Sequence, residues 1–398
     1  MKTNNFSRRN FFKTSALSIG GLMASRWLEA GAVASTIKDD KILYRTLGKT
    51  GIKVPILSSG AIKKDNPNLV KSAFEAGIMH FDTASGYENG ENEKMLGGAI
   101  KEFEREKLVI GTKVKGETDK EGFFLEDVTV DSCMESINKS LERLQLDYVD
   151  ILYTHAVKRK EAVLYEPMLE ALKKAKEQGK AKYIGVTTHT NMAEVINAAV
   201  DCGDYDVVLT SYNYQHKEGS DVEQAIKKAA DAGLGIVGMK SQAGKFLDKE
   251  RQKPVNSIAA IKYVLNNPNI HTLLLSIRSF DQLNEYMAIM NNIELTNEEI
   301  NELNSYPLEG SIYCLGCEDC VAQCPKRLPI PDLMRAYMYT YGYTELSKGY
   351  EVVKSLNLAD NPCDNCEVCT VQCRNGFKIA EKVNDIARLK NVPSEFVS

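Results

Sequence analysis

The feature that most restricts the fold of this 398-residue chain is an alternation of short apolar segments with longer amphipathic ones. Eight segments have the length and apolar character of buried parallel strands, at 55–60, 80–83, 108–114, 148–155, 182–187, 207–212, 235–240 and 272–277. Helical patterns lie between strands, at 131–144, 161–178, 191–202, 221–232, 257–266 and 280–290. Eight strands that alternate with helices over about 240 residues are typical of a closed parallel barrel.

The alternation therefore predicts an α/β fold with a (β/α)8 TIM barrel over residues 43–304. An open, doubly wound sheet is the alternative. Such a sheet carries a glycine-rich phosphate-binding turn after its first strand, and this sequence has none there. Residues 47–54 predict a hairpin that precedes the barrel strands, with glycine at a turn position.

Eight of the ten cysteines fall in two copies of one spacing, C-x2-C-x2-C-x3-C. The copies are Cys314, Cys317, Cys320 and Cys324, then Cys363, Cys366, Cys369 and Cys373. This spacing is typical of bacterial ferredoxins with two clusters, in which the fourth cysteine of each copy ligates the other cluster. Zinc and disulfides are the alternatives, but zinc sites usually use two close pairs of ligands. The motifs predict two [4Fe–4S] clusters in a small, mainly helical ferredoxin-like domain at residues 305–398.

The N-terminal residues 7–13, Ser-Arg-Arg-Asn-Phe-Phe-Lys, resemble a twin-arginine export signal. A weakly apolar run at 14–24 follows, and residues 32–34, Ala-Val-Ala, form a candidate cleavage site. The run is shorter than the roughly 20 apolar residues that cross a bilayer. We therefore expect residues 1–34 to be a signal peptide, and the mature chain to be periplasmic or otherwise exported without a membrane span. An unspecific basic terminus is the alternative.

The charge of the chain restricts its partners. The formal net charge is −4, so the chain lacks the basic excess typical of proteins that bind nucleic acid. We expect small molecules and a redox partner protein as partners, and no nucleic acid.

Two further motifs indicate a family. Residues 44–54 (YRTLGKTGIKV) and 82–87 (DTASGY) resemble the aldo/keto reductases, over roughly residues 43–300. The resemblance implies a catalytic tetrad of Asp82, Tyr87, Lys113 and His155, each at or just after the end of a predicted strand. The C-terminal ends of the strands of a TIM barrel are where such enzymes keep their chemistry.

The implied reaction is hydride transfer between a nicotinamide cofactor and a carbonyl or alcohol substrate. Reduction develops negative charge on the carbonyl oxygen, so a proton donor is needed, and Tyr87 has that role. The ammonium of Lys113 favours the phenolate, and Asp82 holds that lysine in place. His155 orients the carbonyl through its ring N–H.

The resemblance also implies nicotinamide contacts, at Thr187, Thr188, Tyr212, Met239, Lys240 and Arg278. Several of these depart from the usual family pattern: Thr187-Thr188 replaces Ser-Asn, and Met239-Lys240 stands where an aromatic residue commonly stacks on the nicotinamide. Arg278 can pair with a 2′-phosphate, so we expect NADP(H), with NAD(H) as the alternative. These departures resemble the iron–sulfur-fused branch of the family.

The combined prediction is an exported iron–sulfur oxidoreductase of the aldo/keto reductase type. It interconverts a carbonyl and an alcohol and passes electrons through two [4Fe–4S] clusters. The alternative is an electron-transfer or ligand-binding protein whose barrel is a non-catalytic scaffold. The complete tetrad favours the enzyme, and the altered nicotinamide positions favour the scaffold.

Overall fold

A computed structural model describes residues 36–39, 42–62, 66–216, 218–307, 311–364, 366 and 368–397. The predicted signal peptide, residues 1–34, lies outside these ranges. Within them, no helix is long and apolar enough to cross a membrane.

A three-stranded antiparallel sheet precedes the barrel and closes its N-terminal end. Its strands are β1 (Thr36–Asp39), β2 (Ile42–Thr46) and β3 (Lys53–Pro55). The pairing of β2 with β3 confirms the predicted hairpin, with the strands on either side of its turn. Gly48 in this turn has φ +52°, and a Cβ there would lie 2.4 Å from the backbone nitrogen of Gly235. Only glycine lets the turn approach the barrel so closely.

Eight parallel strands then form the barrel. They are β4 (Leu57–Ser59), β5 (His80–Asp82), β6 (Val109–Val114), β7 (Val149–Thr154), β8 (Ala181–Thr188), β9 (Val207–Ser211), β10 (Gly235–Met239) and β11 (Thr272–Leu275). Each strand pairs with the next along the chain, and β11 pairs with β4 to close the circle. The predicted (β/α)8 barrel is confirmed.

Helices surround the strands. They are α1 (Pro67–Glu75), α2 (Glu91–Ile100), α3 (Val130–Leu144), α4 (Lys160–Val163), α5 (Glu166–Glu177), α6 (Met192–Cys202), α7 (Asp221–Asp231), α8 (Ser257–Leu265), α9 (Phe280–Met287) and α10 (Asn297–Ser305). The single helix predicted over 161–178 is two helices, because Pro167 is accommodated only in the first turn of α5. Thr129 and Ser132 form a reciprocal capping box that fixes the start of α3.

The barrel has two apolar layers. Leu47 of the N-terminal turn packs inside the barrel with strand residues such as Val207 and Val237. A larger layer lies between the strands and the helices and includes Ile110 and Leu172. The two layers fix the strand ends in space, and these ends carry the candidate site.

Residues 311–397 form a helical unit, called the C-terminal module below. Its helices are α11 (Asp319–Gln323), α12 (Ile330–Tyr337), α13 (Leu346–Ser355) and α14 (Ile379–Ala387), with a π-helical turn at Met338–Gly342. They share their own apolar core, which includes Leu333, Val353 and Val383. The helical character predicted for this region is confirmed.

The C-terminal module lies against loops at the C-terminal end of the barrel. The Lys245 nitrogen donates to the Gly342 oxygen at 2.7 Å. Gly316 has φ +66°, and a Cβ there would lie 2.6 Å from the backbone oxygen of His189. The module therefore covers part of the face where the predicted catalytic residues end their strands.

Candidate active site and cysteine motifs

The four predicted tetrad residues come together at the C-terminal end of the barrel. Asp82 is the last residue of β5, and Lys113 lies next to the end of β6. Tyr87 begins a 3₁₀ turn shortly after β5, and His155 directly follows β7. The parallel pairing of β5, β6 and β7 places these ends side by side.

Lys113 is the buried centre of the group. Its ammonium is ion-paired and hydrogen-bonded with the Asp82 carboxylate, and it donates to the Thr83 backbone oxygen at 2.6 Å. Its Nζ lies 5.0 Å from the centroid of the Tyr87 ring. Burial alone lowers the pKa of Lys113, but Asp82 and Tyr87 outweigh burial and raise that pKa above its usual value. Lys113 is therefore a permanent cation beside the Tyr87 phenol.

His155 also lies next to the Tyr87 ring. The two ring centroids lie 5.9 Å apart, with the rings at 81°. Burial, followed by the charges of Lys113, Lys115 and other cations, holds the pKa of His155 well below its usual value. The imidazole is thus neutral near pH 7. Its Nδ1 is buried with no hydrogen-bond partner among the described residues, so it is free to contact a ligand.

A buried tyrosine packs next to the tetrad, on the strand that neighbours Lys113. Tyr153 on β7 is fully buried, and its ring fits between two glycines of the neighbouring strands. A Cβ at Gly185 would lie 2.5 Å from this ring, and one at Gly111 would lie 2.7 Å from Asp82 Oδ2. Glycines inside a strand pattern indicate a close approach of another group. That signal could have identified these two supporting positions from the sequence.

The predicted nicotinamide contacts on β8 are used within the protein. The Thr187 hydroxyl accepts a hydrogen bond from the Ala156 nitrogen at 2.7 Å. The Thr188 hydroxyl contacts the Val157 and Thr190 oxygens at 2.8 Å and 2.7 Å. Both threonines are buried and hold the loop that carries His155.

Tyr212 is not brought to the mouth of the barrel. Its hydroxyl contacts Glu223 on α7 at 3.1 Å, and its ring lies 6.3 Å from Tyr263 on α8. It therefore belongs to the layer between strands and helices.

Three predicted cofactor positions do lie at the mouth. Met239 ends β10, Lys240 follows it, and Arg278 lies after β11. Lys240 Nζ lies 5.2 Å from the ring centroid of Tyr339 in the C-terminal module. Arg278 is ion-paired with Glu345 of the same module. The guanidinium of Arg278 suits a phosphate of an anionic dinucleotide, although that phosphate must compete with Glu345.

The two cysteine motifs lie in the C-terminal module and interleave. Cys314, Cys317 and Cys320 of the first copy line one cavity, and Cys373 of the second copy completes it. The Gly316 nitrogen donates to Cys314 Sγ at 3.4 Å, and the Asn375 nitrogen donates to Cys373 Sγ at 3.4 Å. Such N–H···S contacts stabilise thiolates, so this donor set fits a cluster.

The remaining cysteines form a second group. Cys363 is close enough to Cys366, Cys369 and Cys324 to interact with all three electrostatically. In the part of the chain that the structure describes, no three or more histidine, cysteine, aspartate or glutamate side chains are placed to hold a single metal ion. The interleaving of the two copies is compatible with the cross-ligated spacing of two-cluster ferredoxins.

Comparison with known proteins agrees with the geometry at the barrel. The sequence profile of the aldo/keto reductase family matches residues 59–258. This chain belongs to the aldo/keto reductase family. It is 29% identical to L-galactose dehydrogenase of Arabidopsis thaliana, over 67% of this chain and 94% of that protein. It is 24% identical to L-glyceraldehyde 3-phosphate reductase of Escherichia coli O157:H7, over 68% of this chain and 93% of that protein.

Solved structures show the same fold. The holo form of the aldo-keto reductase AKR11C1 from Bacillus halodurans has 20% identity and a TM-score of 0.55, covering 66% of this chain and 95% of that one. The thermostable aldo-keto reductase Tm1743 has 24% identity and a TM-score of 0.53, covering 67% of this chain and all of that one. The protein is an oxidoreductase of the aldo/keto reductase type. The family profile ends at residue 258, before the cysteine motifs begin.

Several residues at the mouth were not identified from the sequence. Arg335, Tyr339 and Glu345 come from the C-terminal module and contact barrel residues more than 60 positions away. Arg335 Nη1 lies 3.5 Å from Nδ1 of His189 on the barrel. No local pattern in the sequence signals such long-range contacts. Only the docking of the module reveals them.

Proposed function

We propose that this protein is an exported iron–sulfur oxidoreductase of the aldo/keto reductase type. Its barrel interconverts a carbonyl and an alcohol, and its C-terminal module holds two [4Fe–4S] clusters that carry electrons to or from a partner protein. The observation that carries the proposal is the group of Asp82, Lys113, Tyr87 and His155 on consecutive strand ends.

The tetrad moves one proton. In the reductive direction the Tyr87 hydroxyl donates its proton to the carbonyl oxygen, and the Lys113 ammonium beside the ring stabilises the phenolate that remains. Asp82 fixes the position of this ammonium through the buried ion pair. His155 donates a hydrogen bond to the oxygen, and this bond strengthens as negative charge develops. In the oxidative direction Tyr87 is the base.

A nicotinamide dinucleotide, when bound, supplies or accepts the hydride. Met239 and Arg278 are the residues at the mouth that would hold it, and NADP(H) is favoured because Arg278 can pair with a 2′-phosphate. Thr187 and Thr188 would act indirectly, since their hydroxyls position the loop that carries His155.

Two cysteine groups support the cluster assignment. The first would use Cys314, Cys317, Cys320 and Cys373, and the second would use Cys324, Cys363, Cys366 and Cys369. Cys320 and Cys324 are buried, whereas Cys366 and Cys369 are exposed. The exposed pair makes the second cluster the natural point of contact for a redox partner, because electron transfer falls steeply with distance.

A spectroscopic titration tests the proposal. The oxidised protein is prepared anaerobically and mixed with NADPH or NADH, with and without a panel of aldehydes and ketones. Consumption of the reduced dinucleotide that depends on a carbonyl supports the reductase, and loss of the visible cluster absorbance shows that the clusters are coupled to it. A protein that binds iron and sulfide but consumes neither dinucleotide would support the scaffold function. The ion pair of Arg278 with Glu345 is the observation that favours this second candidate.

Export has its own test. Residues 7–13 carry the paired Arg8 and Arg9 on which the twin-arginine hypothesis rests. Replacing both with lysine keeps their charge, so the variant should stay inside the cell with intact clusters. Normal export of that variant would contradict the hypothesis.

A further inference from the structure

A second group of charged side chains lies where the C-terminal module meets the barrel. We call it the cationic cluster and define it as Lys158, Lys240 and Arg335, which lie beside the neutral His189. Arg335 Nη1 lies 3.5 Å from His189 Nδ1, and Lys240 Nζ lies 5.2 Å from the centroid of the Tyr339 ring. None of these side chains has a role in the proton transfer described above.

The carboxylates near this cluster do not balance its charge. Lys158 and Arg335 share one partner, Asp332, at 2.6 Å and 2.7 Å. Glu345 is likewise shared, by Arg278 and Lys348. With Lys240, five cations among the described residues therefore face two carboxylates. Glu318, which accepts a hydrogen bond from Asn191 at 2.7 Å, still leaves an excess of positive charge in a chain whose net charge is −4.

Lys240 is the member of the cluster whose partner is a phenol, that of Tyr339, rather than a carboxylate. Across the described ranges, no carboxylate pairs with it, although it is more than half buried at the end of β10. Its backbone has φ +58°, an uncommon left-handed conformation for a lysine. A buried cation without an anion is costly, and backbone strain of this kind collects at functional sites. The arrangement is suited to a bound anion that supplies the missing charge.

The cluster lies beside the carbonyl site. Arg335 Nη1 lies 3.5 Å from His189 Nδ1, and His189 directly follows β8 as His155 directly follows the neighbouring β7, so the cluster lies on the His155 side of the mouth. We propose that the substrates are carbonyl compounds, or the matching alcohols, that carry a carboxylate or phosphate. The anionic group binds Lys240 and Arg335 while the carbonyl contacts Tyr87 and His155. This assignment of substrate class rests on the proposed function.

The proposed site for the substrate anion differs from the site expected for a phosphate of the dinucleotide. The residue suited to a 2′-phosphate, Arg278, follows β11 and is held by Glu345. The cationic cluster instead gathers on the loops after β7, β8 and β10, where the substrate carbonyl is expected. The structure therefore assigns Lys240 to the substrate rather than to the nicotinamide.

A binding experiment tests the assignment without any turnover. Calorimetric titrations compare oxamate and inorganic phosphate with oxamide, which resembles oxamate in size but is neutral. The wild-type protein should bind oxamate and discriminate against oxamide. Lys240→Met should weaken oxamate binding by about 10- to 100-fold, the usual worth of a charge-assisted hydrogen bond. Lys240→Arg should restore most of it, and Arg335→Gln should weaken it as well.

Lys249→Met is the matched control. Lys249 also lies over a tyrosine of the module, with Nζ 4.7 Å from the Tyr341 ring, but Asp385 pairs with it at 2.5 Å. This variant should bind oxamate as the wild type does. Equal binding of oxamate and oxamide by the wild type, or equal losses in both lysine variants, would overturn the assignment.

Steady-state kinetics distinguish whether the anion that Lys240 binds belongs to the substrate or to the dinucleotide. The ratio of kcat/KM for a 2-oxo acid to that for its methyl ester should fall in Lys240→Met, while the KM for NADPH stays unchanged. A raised KM for NADPH with an unchanged ratio would assign the anion to the dinucleotide and overturn the proposal. Failure of the proposed function has a different signature, because oxamate would still bind while no carbonyl is reduced.

Discussion

Arg278 of the barrel and Glu345 of the C-terminal module form an ion pair at the mouth of the barrel. Both side chains are largely shielded from water, with 25% and 12% of the side chain exposed. The carboxylate therefore lies where a dinucleotide phosphate would be expected to meet the arginine. The module and the proposed cofactor would therefore compete for one cation.

Removing that competition should favour NADPH. Glu345→Gln leaves Arg278 unpaired, so the dissociation constant for NADPH should fall about tenfold, which corresponds to roughly 1.4 kcal/mol. NADH lacks the 2′-phosphate and should gain less. The dissociation constants can be measured by quenching of protein fluorescence. Glu381→Gln is the control, because Glu381 is exposed and its ion pair is with Lys378 of the same module. A weaker affinity for NADPH in Glu345→Gln would contradict the competition.

Tyr87 and Lys113 should act in one proton transfer. Tyr87→Phe should lower kcat for any carbonyl substrate by about 10²–10⁴-fold, the usual contribution of a general acid, and should leave dinucleotide binding intact. Adding Lys113→Met to this variant should cost little further activity, because both residues serve the same step. Steady-state kinetics of the two single variants and the double variant measure this. Unimpaired kcat in Tyr87→Phe would support the scaffold function instead.

Lys113→Met also tests the buried ion pair. Removing one partner leaves the Asp82 carboxylate buried without its cation and should lower the free energy of unfolding by about 3–5 kcal/mol. The double variant Asp82→Asn/Lys113→Met removes both charges and should recover most of that stability while remaining inactive. Urea denaturation of the three proteins provides the comparison. If the double variant is no more stable than Lys113→Met, lost packing rather than the unpaired charge accounts for the lower free energy of unfolding.

The interleaved cysteines predict which cluster each thiolate serves. Cys373→Ala should damage the cluster of Cys314, Cys317 and Cys320, so iron should fall from about eight to about four per chain. Cys133→Ala is the control, because Cys133 is buried in α3 of the barrel, and it should keep all of the iron. Iron and acid-labile sulfide are assayed on anaerobic protein. Zinc without sulfide in the wild type would refute the cluster assignment.

The sequence was informative where structure is local. The strands follow from apolar runs. The roles of Asp82, Lys113 and His155 follow from the resemblance to the aldo/keto reductases, and the strand pattern places these residues at the ends of parallel strands. The break between α4 and α5 could also have been inferred. Proline is accommodated in the first turn of a helix, so a helix is expected to begin near Pro167.

The mouth of the barrel could not be predicted in the same way. Tyr212 matches the family pattern in sequence, yet its side chain lies between α7 and α8, because Glu223 and Tyr263 provide partners there. Glu345, Arg335 and Tyr339 lie in segments with no motif of their own, and their partners depend on how two separately packed units meet. Side-chain direction and docking are long-range properties that periodicity does not encode.

The histidines predict how stability depends on pH. Burial lowers the pKa of His80, His216 and His271 to about 4, and all three are buried in the barrel. His271 must stay neutral, because its Nδ1 accepts a hydrogen bond from the Ile236 nitrogen at 2.8 Å. On acidification the unfolded chain binds protons below its usual histidine pKa of about 6.5, whereas the folded chain does not.

The folded state should therefore lose stability as the pH falls from about 6.5 towards 4. At pH 5 the loss is roughly 2 kcal/mol for each of these histidines, and stability is fully retained above pH 7. Urea midpoints followed by circular dichroism from pH 7.5 to 5.0 measure the effect, with cluster absorbance recorded in parallel to separate loss of the clusters from unfolding. His271→Gln keeps an acceptor for the Ile236 N–H but cannot titrate. The free energy of unfolding of this variant should therefore depend less steeply on pH, by the contribution of one histidine. A midpoint that is constant down to pH 5.0 would show that the histidines are not held neutral by the fold.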